Sequence, residues 1–302
     1  MSPRPIPPPR DSGLTRFTEE PLHWATYGPE RVRRTLVLHG GPGASHEYLL
    51  PQLLELSRLG GGRELLFYDQ RGGGRSRTSS PSPITWRTHV RDVADVISEF
   101  DLREPTIVGY SWGGLLALLY AAEAARDTSI PAPGRLVLID PAAIARQYRD
   151  AFEHEFASRQ NSPAVQRMRA ELTQSGLRER DPDAFRQRSF ELSVAGYFAD
   201  PAEARDLTPF RVISRVQQSV WESLGDYDLA SDGSLGRIRL PSLIVHGRED
   251  PIPLESSRRC AELIEARLVV LDDCGHVPYV EQPAQLFAAI DAFLASDRTS
   301  TA

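Results

Sequence analysis

The chain has 302 residues, 40% of them hydrophobic and 25% charged, which describes an ordinary globular protein long enough for one large α/β domain with an insertion. A formal net charge of −6 argues against a general nucleic-acid or anionic-membrane surface, and two cysteines, Cys260 and Cys274, are too few for a disulfide framework or a zinc site. No run approaches membrane-spanning length and no early apolar segment has signal-peptide length, so a cytoplasmic protein with free thiols is expected.

In chain order, Pro3, Pro5, Pro7, Pro8 and Pro9 deny backbone donors and predict an extended, solvated tail over residues 1–15, with a proline-rich ligand for a partner domain as the alternative. Residues 17–27 and 33–38 read as opening strands, followed by a helix near 47–59, a strand at 64–68 and a helix near 86–100. Then come the apolar Thr106-Ile107-Val108, a helix-like run over 115–122, and a strand at 135–139. After Asp140 the pattern changes. From 145 to 235 no convincing buried strand appears, and arginine- and glutamate-rich segments carry apolar residues at helical spacing. Strand, helix, strand, helix resume over 241–295, and 296–302 read as a frayed end. Alternating strands and helices predict a mostly parallel sheet covered on both faces, built from 16–144 and 236–295. The segment 145–235 then becomes a helical cap over the sheet's carboxyl edge, or alternatively a partner-binding insertion.

The chemistry concentrates at that edge. Gly109-Tyr110-Ser111-Trp112-Gly113-Gly114 follows an apolar strand and precedes an apolar helix. A serine on such a sharp turn is lifted above the sheet, and the flanking glycines permit the turn without side-chain clashes. Serine alone is a poor nucleophile and needs a base, an orienting acid and an oxyanion site. His276, in Asp273-Cys274-Gly275-His276-Val277-Pro278, follows the strand-like 267–271 and is the candidate base. Asp250, in Gly247-Arg248-Glu249-Asp250-Pro251, follows the strand-like 242–246 and is the candidate acid. The order Ser111, Asp250, His276 is that of the α/β-hydrolases. Asp140, in Ile139-Asp140-Pro141, is a rival acid at another strand end. Upstream, His39-Gly40-Gly41-Pro42-Gly43 lets backbone N–H groups approach a ligand, so the amides of Gly41 and Trp112 are the candidate oxyanion donors. His39 itself reads as a histidine that orders its loop through backbone hydrogen bonds.

Three patterns together resemble the proline iminopeptidase family of α/β-hydrolases: His39-Gly40-Gly41-Pro42-Gly43, Asp69-Gln70-Arg71-Gly72-x-Gly74-x-Ser76, and Gly109-x-Ser111-Trp112-Gly113-Gly114. The contexts of Asp250 and His276 fit as well, so the resemblance spans about residues 16–294 and is weakest in the middle. It implies an α/β-hydrolase fold and cleavage of an N-terminal residue, often proline, from short peptides or amides. The Gly-x-x-Asp turn favours Asp250 over Asp140 as the acid, leaving Asp140 to support the fold at the cap hinge. Asp69 and Arg71 read as an ion pair or loop brace, and Cys274 as a small buried neighbour of the His276 loop.

Such an enzyme requires no metal or organic cofactor and takes a small peptide, amide or ester as substrate, with no nucleic-acid or membrane partner. Holding a charged α-amino group needs carboxylates to offset lost hydration. The cap offers Glu153, Glu155, Glu191, Glu222 and Asp226. Family members set such glutamates beside aromatic residues, and Phe190-Glu191 and Trp221-Glu222 are the nearest counterparts, making Glu191 and Glu222 the substrate-binding candidates. Two alternatives stay open: a small-molecule esterase, amidase or biosynthetic acyl-processing enzyme with a changed cap, and a non-catalytic binding protein on the same fold.

Overall fold

The computed structural model describes residues 5–30, 33–78 and 82–296. Eight strands form one sheet: β1 (Asp11–Leu14), β2 (His23–Tyr27), β3 (Arg34–Leu38), β4 (Glu64–Tyr68), β5 (Thr106–Tyr110), β6 (Arg135–Ile139), β7 (Ser242–Gly247) and β8 (Arg267–Leu271). Their spatial order is β1-β2-β4-β3-β5-β6-β7-β8, with β1 and β2 antiparallel to their neighbours and all later pairs parallel. The helices are α1 (Trp86–Glu99), α2 (Trp112–Arg126), α3 (Arg146–Gln160), α4 (Pro163–Gln174), α5 (Leu177–Arg180), α6 (Pro182–Val194), α7 (Ser214–Leu224), α8 (Leu254–Ile264), α9 (Pro278–Glu281) and α10 (Pro283–Ala295). Among the described residues no helix is long and apolar enough to cross a membrane.

Period-two alternation splits each central strand between two cores. Leu36 and Leu38 of β3, Ile107 of β5 and Ile244 of β7 face the side covered by α1, α2 and α8. Val37, Val108, Leu243 and Val245 face the opposite side, against residues 52–61 and α10. Burial on both faces explains why these strands read as continuous apolar runs. Helix α2 lies over the centre of the sheet and is apolar all round, with twelve of its residues buried. Helix α1 instead shows one apolar stripe, and its start is fixed by a capping box in which Thr85 and Thr88 bond to each other's backbone N–H groups.

Three details differ from the sequence reading. Residues 11–14, assigned to a solvated tail over 1–15, form β1, because backbone pairing to β2 needs no apolar run; the Arg10 N–H also donates to the Thr26 carbonyl at 2.8 Å. Of the prolines assigned to that tail, Pro3 lies outside the described residues. The opening strand expected at 17–27 is confined to His23–Tyr27, since residues 15–22 turn the chain, with the Thr15 N–H donating to the Leu22 carbonyl at 2.8 Å. In place of one helix near 47–59 there are tighter 3-10 stretches, His46–Leu49 and Gln52–Gly61, the second broken by non-helical backbone at Leu59 and Gly60, and the two separated at Pro51, which has no N–H to continue the ladder. Residues 297–302 of the expected frayed end lie outside the described residues. Helices α3 to α7 all fall between β6 and β7, on a chain that leaves and re-enters the sheet at adjacent strands.

Candidate active site

Ser111 occupies the single residue between β5 and α2, with φ +53° and ψ −119°. That left-handed backbone is costly for a residue with a Cβ and persists only where the surroundings fix it. Its neighbours show how. A Cβ on Gly109 would come within 2.4 Å of the Gly113 carbonyl oxygen, and one on Gly113 within 2.1 Å of the Leu38 carbonyl oxygen. Only glycine lets the elbow close this tightly against β3.

His276 and Asp250 converge on that serine from the ends of β8 and β7. The Ser111 Oγ–H donates to His276 Nε2 at 2.9 Å, and His276 Nδ1–H donates to Asp250 Oδ2 at 2.8 Å. Asp250 Oδ1 accepts the Ile252 N–H at 2.7 Å, so both carboxylate oxygens are served. The imidazole is buried, stacks on Tyr197 with ring centres 5.2 Å apart, and has its pKa lowered from 6.5 by desolvation. Burial thus favours the neutral ring, the form that accepts a proton. The loop carrying it is braced from three sides. Tyr110 Oη–H donates to the His276 carbonyl at 2.8 Å, and the His276 N–H donates to the Tyr197 carbonyl at 2.7 Å. Glu281 accepts the N–H groups of Gly275 and Val277 at 3.0 and 3.1 Å. Cys274 is a buried free thiol in the same loop.

Gly41 and Trp112 line the same cavity as Ser111 and His276. Among the described residues neither main-chain N–H donates to another group of the chain, which for Trp112 follows from its place in the first turn of α2. The loop before them is ordered by His39, whose Nδ1–H donates to the Gly40 carbonyl at 2.8 Å while its Nε2 accepts the Gln70 N–H at 3.0 Å. Burial holds this ring neutral, its pKa pushed down to about 4. Gln70 is the residue the sequence reading passed over. Its amide donates to the His39 carbonyl at 2.8 Å and its Oε1 accepts the Trp112 Nε1–H at 2.8 Å, stitching both donor-bearing segments together. The signal was its place between Asp69 and Arg71. Those two brace loops without pairing to each other: Asp69 accepts from His46 Nδ1 at 2.7 Å and from the Arg75 N–H at 2.8 Å, whereas Arg71 forks onto Asp92 at 2.5 and 3.1 Å.

The cavity has a volume of about 230 Å³, and its far wall comes from the insertion: Arg149, Phe152 and Glu153 of α3, Tyr197, and Gln217 and Trp221 of α7. Glu191 and Glu222 lie outside this lining. Glu191 is buried within α6, where Gln187 and Arg188 donate to its carboxylate at 3.1 and 2.7 Å. Glu222 is one residue past Trp221, and that 100° step turns it to the exposed side, where Gln218 donates to it at 2.6 Å. Glu153 is the cap carboxylate in the wall, paired with Arg149 at 2.8 Å. The Arg149 guanidinium also lies 3.8 Å from the Trp221 ring centre.

The chain is similar to known proteins. A family model described as "Alpha/beta hydrolase family" matches residues 35–290. A proline iminopeptidase of Lactobacillus delbrueckii subsp. bulgaricus is 25% identical, over 94% of this chain and 99% of its own. Among solved structures, a proline iminopeptidase of Mycobacterium smegmatis matches with a TM-score of 0.68 at 19% identity, covering 97% of this chain and 100% of that one. A proline iminopeptidase-related protein of Thermus thermophilus matches with a TM-score of 0.70 at 20% identity, covering 95% and 97%. At those identities the two structures speak for the fold, while the family match over most of the sheet and all the elbow, acid and histidine segments decides membership. The chain belongs to the alpha/beta hydrolase family.

Proposed function

We propose that the protein is a serine hydrolase with Ser111 as nucleophile, His276 as general base and Asp250 as orienting acid, acting as an aminopeptidase that releases N-terminal proline or a small apolar residue. The observation that carries the catalytic reading is the hydrogen-bonded chain from Ser111 Oγ through His276 to Asp250, at 2.9 and 2.8 Å on the cavity floor. His276 takes the serine proton as Oγ attacks the scissile carbonyl, and Asp250 holds the ring in the tautomer with Nε2 free. The Gly41 and Trp112 N–H groups stabilise the tetrahedral oxyanion, a contribution of about 3–4 kcal/mol per donor. His276 then protonates the leaving amine, and water attacks the acyl-enzyme by the same route in reverse.

The aminopeptidase reading is supported by the proline iminopeptidase relative and by Glu153, a carboxylate in the cavity wall able to meet a substrate ammonium. One observation favours a second reading, an esterase or acyl-processing enzyme. Glu153 is already paired with Arg149, so this part of the wall carries little net negative charge. Prolyl and alanyl amides with a free α-amine, their N-acetylated counterparts and short-chain esters separate the two. Cleavage of the free-amine amides alone supports the peptidase; equal cleavage of blocked and free amides, or of esters alone, promotes the second reading.

A further inference from the structure

Behind the Asp250–His276 pair lies another carboxyl, Asp140, which the route above does not use. It is the first residue after β6, fully buried, with φ +40°. A non-glycine residue keeps that backbone only where its surroundings over-determine it. Asp140 Oδ1 accepts the Gly247 N–H at 2.8 Å, but Oδ2 is buried with no ordinary donor. Carboxylate oxygens of Asp140 and Asp250 nevertheless lie, with a His246 ring nitrogen, within 4.8 Å of one another.

Two carboxyls this close and this deeply buried do not both ionise, so one of them keeps its proton. Asp250 has a donor on each oxygen, from Ile252 and His276. His246 cannot supply one to Asp140, because its Nε2–H donates to the Ile252 carbonyl at 3.1 Å and its Nδ1 accepts from Ser257 Oγ at 3.0 Å. The vacant oxygen, Asp140 Oδ2, is therefore where the proton fits. We propose that Asp140 is a positioning residue: kept as the neutral carboxylic acid, it donates a hydrogen bond to Asp250 and so fixes the carboxylate that orients His276.

The inference rests on the triad reading, and the surroundings support it. Burial first, and the Asp250 charge second, hold Asp140 far above the usual carboxylate range. Asp250 is raised by burial as well, but less, because the Asp140 and Ile252 donors favour its charged form. Adjacent carboxyls in a dry site share one proton. From β5, Tyr110 faces the pair; from the loop before α9, Cys274 and His276; from α9, Tyr279 and Glu281. From the insertion, Tyr197 and Arg159 face Asp250, and Arg159 is a cation favouring its charged form. Burial raises the pKa of Cys274 and of these tyrosines, which keeps them neutral around neutral pH. Glu281 is also raised by burial, while three backbone N–H groups favour its charge.

The test measures the rate at which a serine-directed phosphonate labels Ser111 as a function of pH, in the parent, Asp140→Asn and Asp140→Leu. In Asp140→Leu the acid limb moves up by about one pH unit, since Asp250 loses a donor and both it and His276 hold their protons more tightly. Asp140→Asn keeps an N–H toward Asp250 and an oxygen toward Gly247, so its limb stays with the parent's. Infrared spectra at neutral pH need no substrate: the C=O stretch of a buried un-ionised carboxyl is expected in the parent and lost in Asp140→Asn. A parent lacking that band, or an Asn variant shifted as far as the Leu variant, overturns the proposal. Should Asp140→Leu not fold, the Asn variant and the infrared band decide. Absence of any labelling at Ser111 sinks the triad reading, whereas absence of the band sinks this one.

Discussion

The floor and the cap wall of the cavity are built to different standards. Around Ser111 and His276 the loops are tied by buried bonds from Gln70, Tyr110 and Glu281, and glycines meet backbone where a methyl group would not fit. Helix α3, which supplies Arg149, Phe152 and Glu153 to the wall, fully buries none of its residues. Its charges form exposed pairs one turn apart, Arg146–Asp150, Arg149–Glu153 and Arg159–Glu155, each worth a few tenths of a kcal/mol. The floor tolerates little change, and the wall can be rewritten at small cost in stability. In a family where one frame serves many substrates, that division lets selectivity change while the chemistry stays.

Substitutions on the two sides should separate accordingly. Ser111→Ala, the largest effect expected, lowers turnover by about 10⁶-fold and abolishes phosphonate labelling while leaving the melting temperature near the parent's. Persistent labelling in that variant would move the nucleophile elsewhere. Asp250→Asn costs about 10⁴ in kcat, with Asp140→Asn costing far less; the reverse ranking in equally folded proteins would hand the acid role to Asp140. Gly113→Ala forces a methyl group against the Leu38 carbonyl and destabilises the fold by about 3 kcal/mol, read by denaturant unfolding. On the wall, Glu153→Gln lowers kcat/KM for free-amine amides about tenfold and spares a simple ester, because the carboxylate pairs with the amine and moves no proton. An ester penalty of equal size would make Glu153 a structural residue of α3.

The pH profile gives the finest distinction. A histidine whose pKa is lowered by burial is neutral over a wider range on the acid side, so kcat/KM should fall only as pH drops through a midpoint below 6.5. Wall substitutions such as Glu153→Gln should leave that midpoint in place, since His276 belongs to the floor. A midpoint at or above 6.5 in the parent would mean that the Asp250 charge outweighs desolvation.

Much of this was legible along the chain, for reasons that differ by region. Strands β4 and β6 were read to the residue because burial on both faces leaves an uninterrupted apolar run, and the half-buried edge strand β8 because its apolar residues are bounded by Arg267 and Asp272. The elbow was legible because its geometry is local: a strand, a serine, a helix and the glycines between them. Strand β1 was hidden, since its four residues have an exposed, unpatterned sequence and exist as a strand through pairing to β2. The Gly-x-x-Asp turn favoured Asp250, but only the fold shows how near its rival comes to His276. Asp140 and Asp250 both end strands, and because β6 and β7 are neighbours both reach one spot, where the 2.8 Å contact goes to Asp250. The same holds for the wall. Composition supplies glutamates throughout the cap, but the fold places Glu153 of α3 in the cavity lining, while Glu191 of α6 and Glu222 of α7 fall outside it. Spacing along a chain determines what is adjacent within an element; only the fold determines which elements meet.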